Sequence, residues 1–339
     1  MCRKDRPMDP SQSVVIDNYN YGRFLAEAVD SALATGAEVV VVDDGSTDHS
    51  WDILIRYGDT ITAVRQENQG QAAALNSGIA AATGDVVLLL DADDMVAPKR
   101  IERVAYTFRA AEVQWLRHDM IYFDQGGELS LAYGFEASTE PKHEFAATGQ
   151  VRGSTSGLAF RKSFLERLGP IPEADFRFGA DFYLLSAGAI MGGGVTMSEP
   201  LTLRRVHSQQ IIKRLSRDQN TMLAQVRQKA SMAKHARDLA RRFETLPIVA
   251  SEETWWQQKW IFDYLRLQGR DSEARTAWRR HMAALWRAPI PASQRAAEAT
   301  RSILLAMSPG FLFPRAWWVT HNGRSRLASR LARTLTRSR

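Results

Sequence analysis

Sulfur chemistry is nearly absent from this chain. Of its 339 residues a single one is cysteine, Cys2. An intramolecular disulfide is therefore excluded, and so is a zinc site built on cysteine pairs. Such usage is compatible with a reducing compartment. Long apolar runs are missing as well. No stretch reaches the roughly 18 apolar residues that a membrane-spanning helix needs. The opening MCRKDRPMDP has no apolar centre of the kind a secretory leader carries, so residues 1–12 read as a loose tail. No internal repeat is found. The second part of the chain is poor in acid. Residues 1–200 hold 17 Lys and Arg against 29 Asp and Glu, whereas residues 201–339 hold 27 against 9. The acidic front argues against nucleic acid as its ligand, and the basic rear suits an anionic surface.

Apolar runs and helical periods alternate through the front half. SVVI (13–16), EVVVV (38–42), ITAV (61–64) and VVLLL (86–90) read as strands. Between them, 21–34, 46–58, 70–84 and 98–111 read as helices, the last opening on Pro98 in its first turn. Strands that are apolar throughout are buried on both faces, and repeated strand–helix units imply a parallel sheet. A further strand is expected at 113–124 and a loop or meander at 125–150. A turn, strand and helix follow at 153–169, then a helix at 178–190 and a short strand at 202–207. Beyond residue 214 the pattern is helical. The expected architecture is an α/β domain over 13–213 with a helical region over 214–339.

Ligands of such sheets bind outside the carboxyl ends of the strands. Polar residues gather at those ends here: Asp17, Asn18 and Asn20, then Asp43 and Asp44, then Gln66 to Gln69, then Asp91, Asp93 and Asp94. An Asp-x-Asp at a strand end can turn two carboxylates to one side. Paired hard oxygens suit Mg²⁺ or Mn²⁺, which usually complete their shells with water and substrate phosphates. The plainer alternative is a solvated loop in which Asp94 caps the next helix. Position after a buried strand, beside other acidic loops, favours the cation.

Four separated motifs, VVIDNYNYGRFLAEAVDSAL, VVVVDDGSTDHS, NQGQAAALNSGIAAATGDVVLLLDADD and SGLAFRKSFL, occur in an order that resembles the family 2 inverting glycosyltransferases. The resemblance covers about residues 13–210. It implies the GT-A (nucleotide-diphospho-sugar transferase) fold and a nucleotide-sugar donor, UDP-linked by the family pattern, with Mn²⁺ or Mg²⁺ as cofactor. On that pattern Asp44, or its neighbour Asp43, accepts a hydrogen bond from the base. Asp17 and Tyr19 flank the base, and Asn68 and Gly70 shape the loop near the ribose. Asp91 contacts ribose or metal, and Asp93 is the direct metal ligand. Many relatives have Pro where Asp17 stands. Relatives often carry Glu-Asp where this chain has Ala180-Asp181, and Asp181 is the expected base. His207 would meet the metal or the diphosphate, and Arg204 or Arg205 would neutralise phosphate. Ser154, Thr155 and Ser156 would line the acceptor side, facing a saccharide or lipid-linked acceptor. The implied activity is sugar transfer in surface polysaccharide or glycolipid synthesis. The alternatives are a nucleotidyltransferase, whose Gly-rich phosphate loop is missing after the first strand, and a non-catalytic nucleotide-sugar binder.

The last sixteen residues, RSRLASRLARTLTRSR, carry six Arg and no acid, with Leu327, Leu331 and Leu335 four apart. Such a cationic amphipathic helix suits an anionic membrane face. The expected location is cytoplasmic, with peripheral contact at the inner face of the cell membrane.

Overall fold

A computed structural model describes residues 9–123, 129–135, 137, 141–207, 219–246, 249, 254–288, 290 and 292–307. The basic segment 324–339 lies outside these residues. The chain divides into two compact units, Met1–His207 and Ser208–Arg339.

The first unit begins with three strand–helix steps and a fourth strand: β1 (Gln12–Asn18), α1 (Gly22–Leu33), β2 (Glu38–Asp43), α2 (Ser50–Ile55), β3 (Thr62–Arg65), α3 (Gln71–Ala81) and β4 (Val86–Asp91). A two-residue strand β5 (Met95–Val96) and helix α4 (Arg100–Phe108) follow. β6 (Trp115–Phe123), β7 (Leu129–Leu131), α5 (Pro141–Thr148), β8 (Leu158–Arg161), α6 (Lys162–Leu168), α7 (Ala180–Met191) and β9 (Gly194–Arg205) complete it. Sheet order is β3-β2-β1-β4-β8-β6-β9-β5, with β7 beside β6. The β3-β2-β1-β4 half is parallel, as expected. β8 then enters antiparallel to both β4 and β6, so the whole sheet is mixed.

The apolar runs behave as their composition dictates. Val86 to Leu90 are wholly buried, as are Val14 to Ile16. Each such side chain contributes roughly 1.5–3 kcal/mol by leaving water. β3 departs from this pattern and is largely exposed, because it is the sheet's edge. On α1, Phe24, Leu25, Ala28, Val29 and Ala32 form the buried stripe.

Three elements differ from the sequence expectation. α2 is shorter than 46–58. Asp48 accepts from the Ser50 N–H at 2.9 Å and the Gly22 N–H at 2.9 Å, holding the chain in a turn before the helix starts. α5 occupies part of the expected 125–150 loop; its weak amphipathic pattern conceals it. β9 is twelve residues long, against the short strand expected at 202–207. Its pairing with β6 shifts register around Asp119, and Pro200 sits in that irregularity.

The second unit holds α8 (Gln219–Arg242), α9 (Trp255–Leu267), α10 (Asp271–Arg287) and α11 (Ala292–Met307). Phe262, Leu265, Ala274, Ala277 and Leu305 form an apolar cluster. A buried polar group accompanies them. Lys259 pairs with Asp263 at 2.8 Å, and His281 bonds the Trp255 carbonyl at 2.8 Å and Ser302 Oγ at 2.7 Å. No helix among the described residues is long and apolar enough to cross a membrane.

Candidate active site

The parallel register brings the expected carboxylates together. Asp17 is the penultimate residue of β1 and Asp91 ends β4, and the two are direct register partners. The chain turns sharply after β4, the Asp94 N–H donating to the Asp91 carbonyl at 3.0 Å. Asp91, Asp93 and Asp94 each then present an oxygen within 4.8 Å of the others. Ser156 Oγ accepts the Asp91 N–H at 3.0 Å and fixes the start of this turn.

Crowding shows in the titration of these groups. Burial, then Asp93, pushes Asp91 up to about 7, and Arg204 offsets only part of this. Burial, then Asp93 and Asp91, raises Asp94 well above the usual carboxylate range. Asp17 is raised well above it too, by burial first and Asp91 second. Asp94 Oδ2 is buried with no hydrogen-bond partner among the described residues. Three hard oxygens this close fit a divalent cation.

Around the cluster stand the residues of β9. Arg204 Nη1 donates to Tyr133 Oη at 3.3 Å. Burial works against its charge, but Tyr133, Asp94 and Asp91 outweigh that and hold it protonated. Arg205 turns elsewhere. Its guanidinium bonds Glu27 at 2.8 Å and the Asp93 carbonyl at 3.2 Å, and stacks over Phe24 and Phe123. Its main-chain N–H donates to Asp94 Oδ1 at 3.0 Å. Arg205 thus clamps the acidic turn from behind, and Arg204 faces it. His207 Nε2 lies 2.9 Å from Asp93 Oδ2, and its ring packs 4.7 Å from that of Phe24. In this arrangement its Nε2 is engaged by Asp93.

Asp181 is the second residue of α7, whose start is set by Gly179 in the left-handed region at φ 69°. Burial raises the Asp181 carboxyl, and the Phe182 N–H, donating at 2.8 Å, opposes that shift. Asp181 and Asp91 sense each other's charge. Thr155 Oγ1 accepts from Gln71 at 3.2 Å beside them. Ser154, Thr155 and Ser156 are all buried in a tight turn before β8, and Ser156 supports Asp91.

The loops after β1, β2 and β3 are tied mainly to one another. Asp43 Oδ1 accepts from Asn18 Nδ2 at 3.0 Å, and Asn18 also reaches Ser46 at 3.1 Å. Asp44 accepts from Gln66 Nε2 at 2.8 Å, the Gln69 N–H at 2.9 Å and the Gly70 N–H at 2.7 Å. Asp44 therefore gathers the 66–70 loop. Asn68 bonds Arg177 in turn, fastening that loop to the approach to α7. Tyr19 is 40% exposed, its ring open to solvent.

Three contributors escaped the sequence reading. Gln71 links Asp91, Thr155 and the start of α7. Its signal was a polar residue directly after Gly70, at the head of an Ala-rich helix. Arg100 is wholly buried, bonding the Leu89 and Leu158 carbonyls at 3.0 and 3.2 Å, with burial lowering it to about 9. Asp94 favours its charge. His118 is also wholly buried and held neutral, by burial first and Arg100 second.

An uncharacterized glycosyltransferase of Nostoc sp. is 36% identical over 208 residues, 58% of this chain and 64% of that protein. EpsH of Bacillus subtilis is 26% identical over 225 residues, 60% of this chain and 63% of EpsH. The chain thus spans slightly less than two thirds of the length of these curated relatives. Among solved structures, S. aureus TarS 1–349 in complex with UDP-GlcNAc superposes with a TM-score of 0.54 at 16% identity, over 92% of this chain and 91% of TarS. The mannosyltransferase PcManGT from Pyrobaculum calidifontis, in complex with GDP-Man and Mn²⁺, gives 0.51 at 20% identity, over 95% and 88%. These likenesses show the GT-A fold. The family model for glycosyl transferase family 2 matches residues 13–167. That stretch carries β1 through β8 and the acidic turn, and it belongs to glycosyl transferase family 2.

Proposed function

We propose that the protein is an inverting glycosyltransferase that moves a hexose from a nucleotide-diphosphate sugar, UDP-linked, to a saccharide or lipid-linked hydroxyl. The observation that carries this reading is the convergence of Asp91, Asp93 and Asp94 with Arg204 at the strand ends, next to Asp181. Named ligands of the structural neighbours, UDP-GlcNAc in TarS and GDP-Man with Mn²⁺ in PcManGT, support it.

Asp91 and Asp93 would hold the cation, Mn²⁺ or Mg²⁺, with His207 orienting Asp93. When bound, the cation supplies Lewis-acid neutralisation of the diphosphate. Arg204, fixed between Tyr133 and the acidic turn, adds a permanent positive charge to the same region. Asp43, Asp44 and Asn68 shape the base and ribose pocket, with Asp17 and Tyr19 beside it. Asp181 accepts the acceptor's hydroxyl proton as the new C–O bond forms at the anomeric carbon and the bond to the nucleoside diphosphate breaks. Burial raises its affinity for that proton. General-base assistance of this kind contributes about 10²–10⁴-fold.

The test uses two variants. Asp93→Ala is expected to lose Mn²⁺-dependent UDP binding by calorimetry; an unchanged titration removes the site. Asp181→Asn is expected to bind UDP with Mn²⁺ normally yet release no UDP from nucleotide sugars; a full rate removes the base. One observation favours a rival. Ala180 is buried and offers no carboxylate. Donor binding without turnover of any nucleotide sugar would support a binder.

Surface polysaccharide or glycolipid synthesis at the inner membrane face is the proposed setting, supported by the basic sequence 324–339. Removing residues 320–339 is expected to release the protein from anionic liposomes. A full-length protein that stays in solution beside them would remove the membrane role.

A further inference from the structure

The amide of Gln71 joins two parts of the site. Gln71 opens α3, and its main-chain N–H donates to the Arg177 carbonyl at 2.9 Å. Its Oε1 accepts from the Gly179 N–H at 3.1 Å and the Ala180 N–H at 3.2 Å. Its Nε2 donates to Thr155 Oγ1 at 3.2 Å and Asp91 Oδ1 at 3.4 Å.

The two ends of this amide do different work. α7 receives no side-chain hydrogen bond from its own N-cap residue, Gly179. The first N–H groups of any helix need a partner from outside it. Gln71 supplies one from a separate helix, at the residue just before Asp181. Its other end offers N–H to a carboxylate, which only accepts. An amide accepts at one end and donates at the other. A carboxylate of the same length could cap α7 but would repel Asp91. A methionine would fill the space and do neither.

We infer that Gln71 is a positioning residue for sugar transfer, setting the place of Asp181 relative to Asp91. This rests on the reading of Asp181 as base. Displacement of a reacting group by about 1 Å can cost 10²-fold in rate, so a residue that touches neither sugar could still control turnover.

The test compares full-length wild type with Gln71→Met, Gln71→Glu and Asp181→Asn. Three quantities are read: amide exchange at residues 179–180, the Kd for UDP with MnCl₂, and kcat and KM for UDP release from the nucleotide sugar that wild type uses best. For Gln71→Met, exchange at 179–180 is expected to rise at least about tenfold and kcat to fall about 100-fold, with Kd and KM within about threefold. Gln71→Glu is expected to restore the slow exchange but not kcat. Wild-type exchange and kcat in Gln71→Met overturn the inference. So does a loss of UDP affinity as large as the loss of kcat, which would make Gln71 a donor contact. Gln71→Glu exchanging as fast as Gln71→Met overturns the capping half. A fully active Asp181→Asn removes the base reading alone, since amide exchange still reports whether Gln71 holds the start of α7.

Discussion

Asp17 and Asp91 stand side by side as register partners on β1 and β4, and the Asp17 carbonyl accepts the Ala92 N–H at 3.2 Å. Two carboxylates so placed cost stability whenever both are ionised. Their pKa values lie above the ordinary range, so the folded state holds protons that the unfolded state has already released. That sign makes the metal-free unit less stable as pH rises through the folded value, about 7 for Asp91. Asp91→Asn is therefore expected to raise the metal-free melting temperature by a few degrees at pH 8 and by less at pH 6. The same variant should lose the stabilisation that Mn²⁺ with UDP gives wild type. Thermal melts at the two pH values, with and without both ligands, check this.

His207 is gripped by Asp93 on one side and by the rings of Phe24 and Tyr21 on the other. His207→Phe keeps the ring packing and drops the nitrogen. Loss of a group that orients a metal ligand typically costs 10–100-fold in affinity. The expected result is a drop of about that size in Mn²⁺-dependent UDP affinity, with a melting temperature close to wild type. Calorimetric titration decides it, and an unchanged affinity would count against a supporting role.

Gly70 sits at φ 96°, where L residues are strained, and an added Cβ would overlap the Arg177 side chain and carbonyl. Gly70→Ala is expected to destabilise the first unit by about 1–3 kcal/mol from backbone strain alone. It should also part the 66–70 loop from Arg177, so donor affinity falls with stability. Denaturant unfolding and UDP titration measure the two effects.

In the second unit, His281 is wholly buried, and the Trp255 carbonyl can only accept. The proton must sit on Nδ1, leaving Nε2 to accept from Ser302. Burial lowers its pKa. The unfolded chain therefore takes up a proton that the folded unit refuses, and stability falls as pH drops through the ordinary histidine value of about 6.5. The helical unit is expected to melt at lower temperature at pH 5.5 than at pH 7.5. Replacing His281 by Gln should flatten that dependence, as followed by circular dichroism.

The inner strands of the parallel half were legible because they are apolar on both faces, so VVLLL and the VVI of β1 could only be buried. Asp91 and Asp93 could be read for the same reason: a buried strand ends on a carboxylate only where something needs it. The antiparallel half was harder. β9 carries Ser198, Glu199 and Pro200 in its middle, and its irregular pairing with β6 accommodates them. Arg100 could not be foreseen, since arginine is seldom wholly buried and nothing local marks it. Gln71 looked like an ordinary helix former; its role depends on Thr155 and Gly179, residues far along the chain. The sequence suggests a ligand contact for Asp44; what the structure shows is Asp44 securing the 66–70 loop.

β8 lies between β4 and β6 and runs against both. It makes a seam between the parallel half of the sheet and a more irregular half. Several bonds cross the seam at the site: Ser156 to the Asp91 amide, Arg205 and His207 to the turn at Asp93 and Asp94, and Gln71 to the start of α7. A graft beyond β8 that leaves the carboxylate turn in place must therefore keep Arg205, His207 and the Gly179 and Ala180 amides.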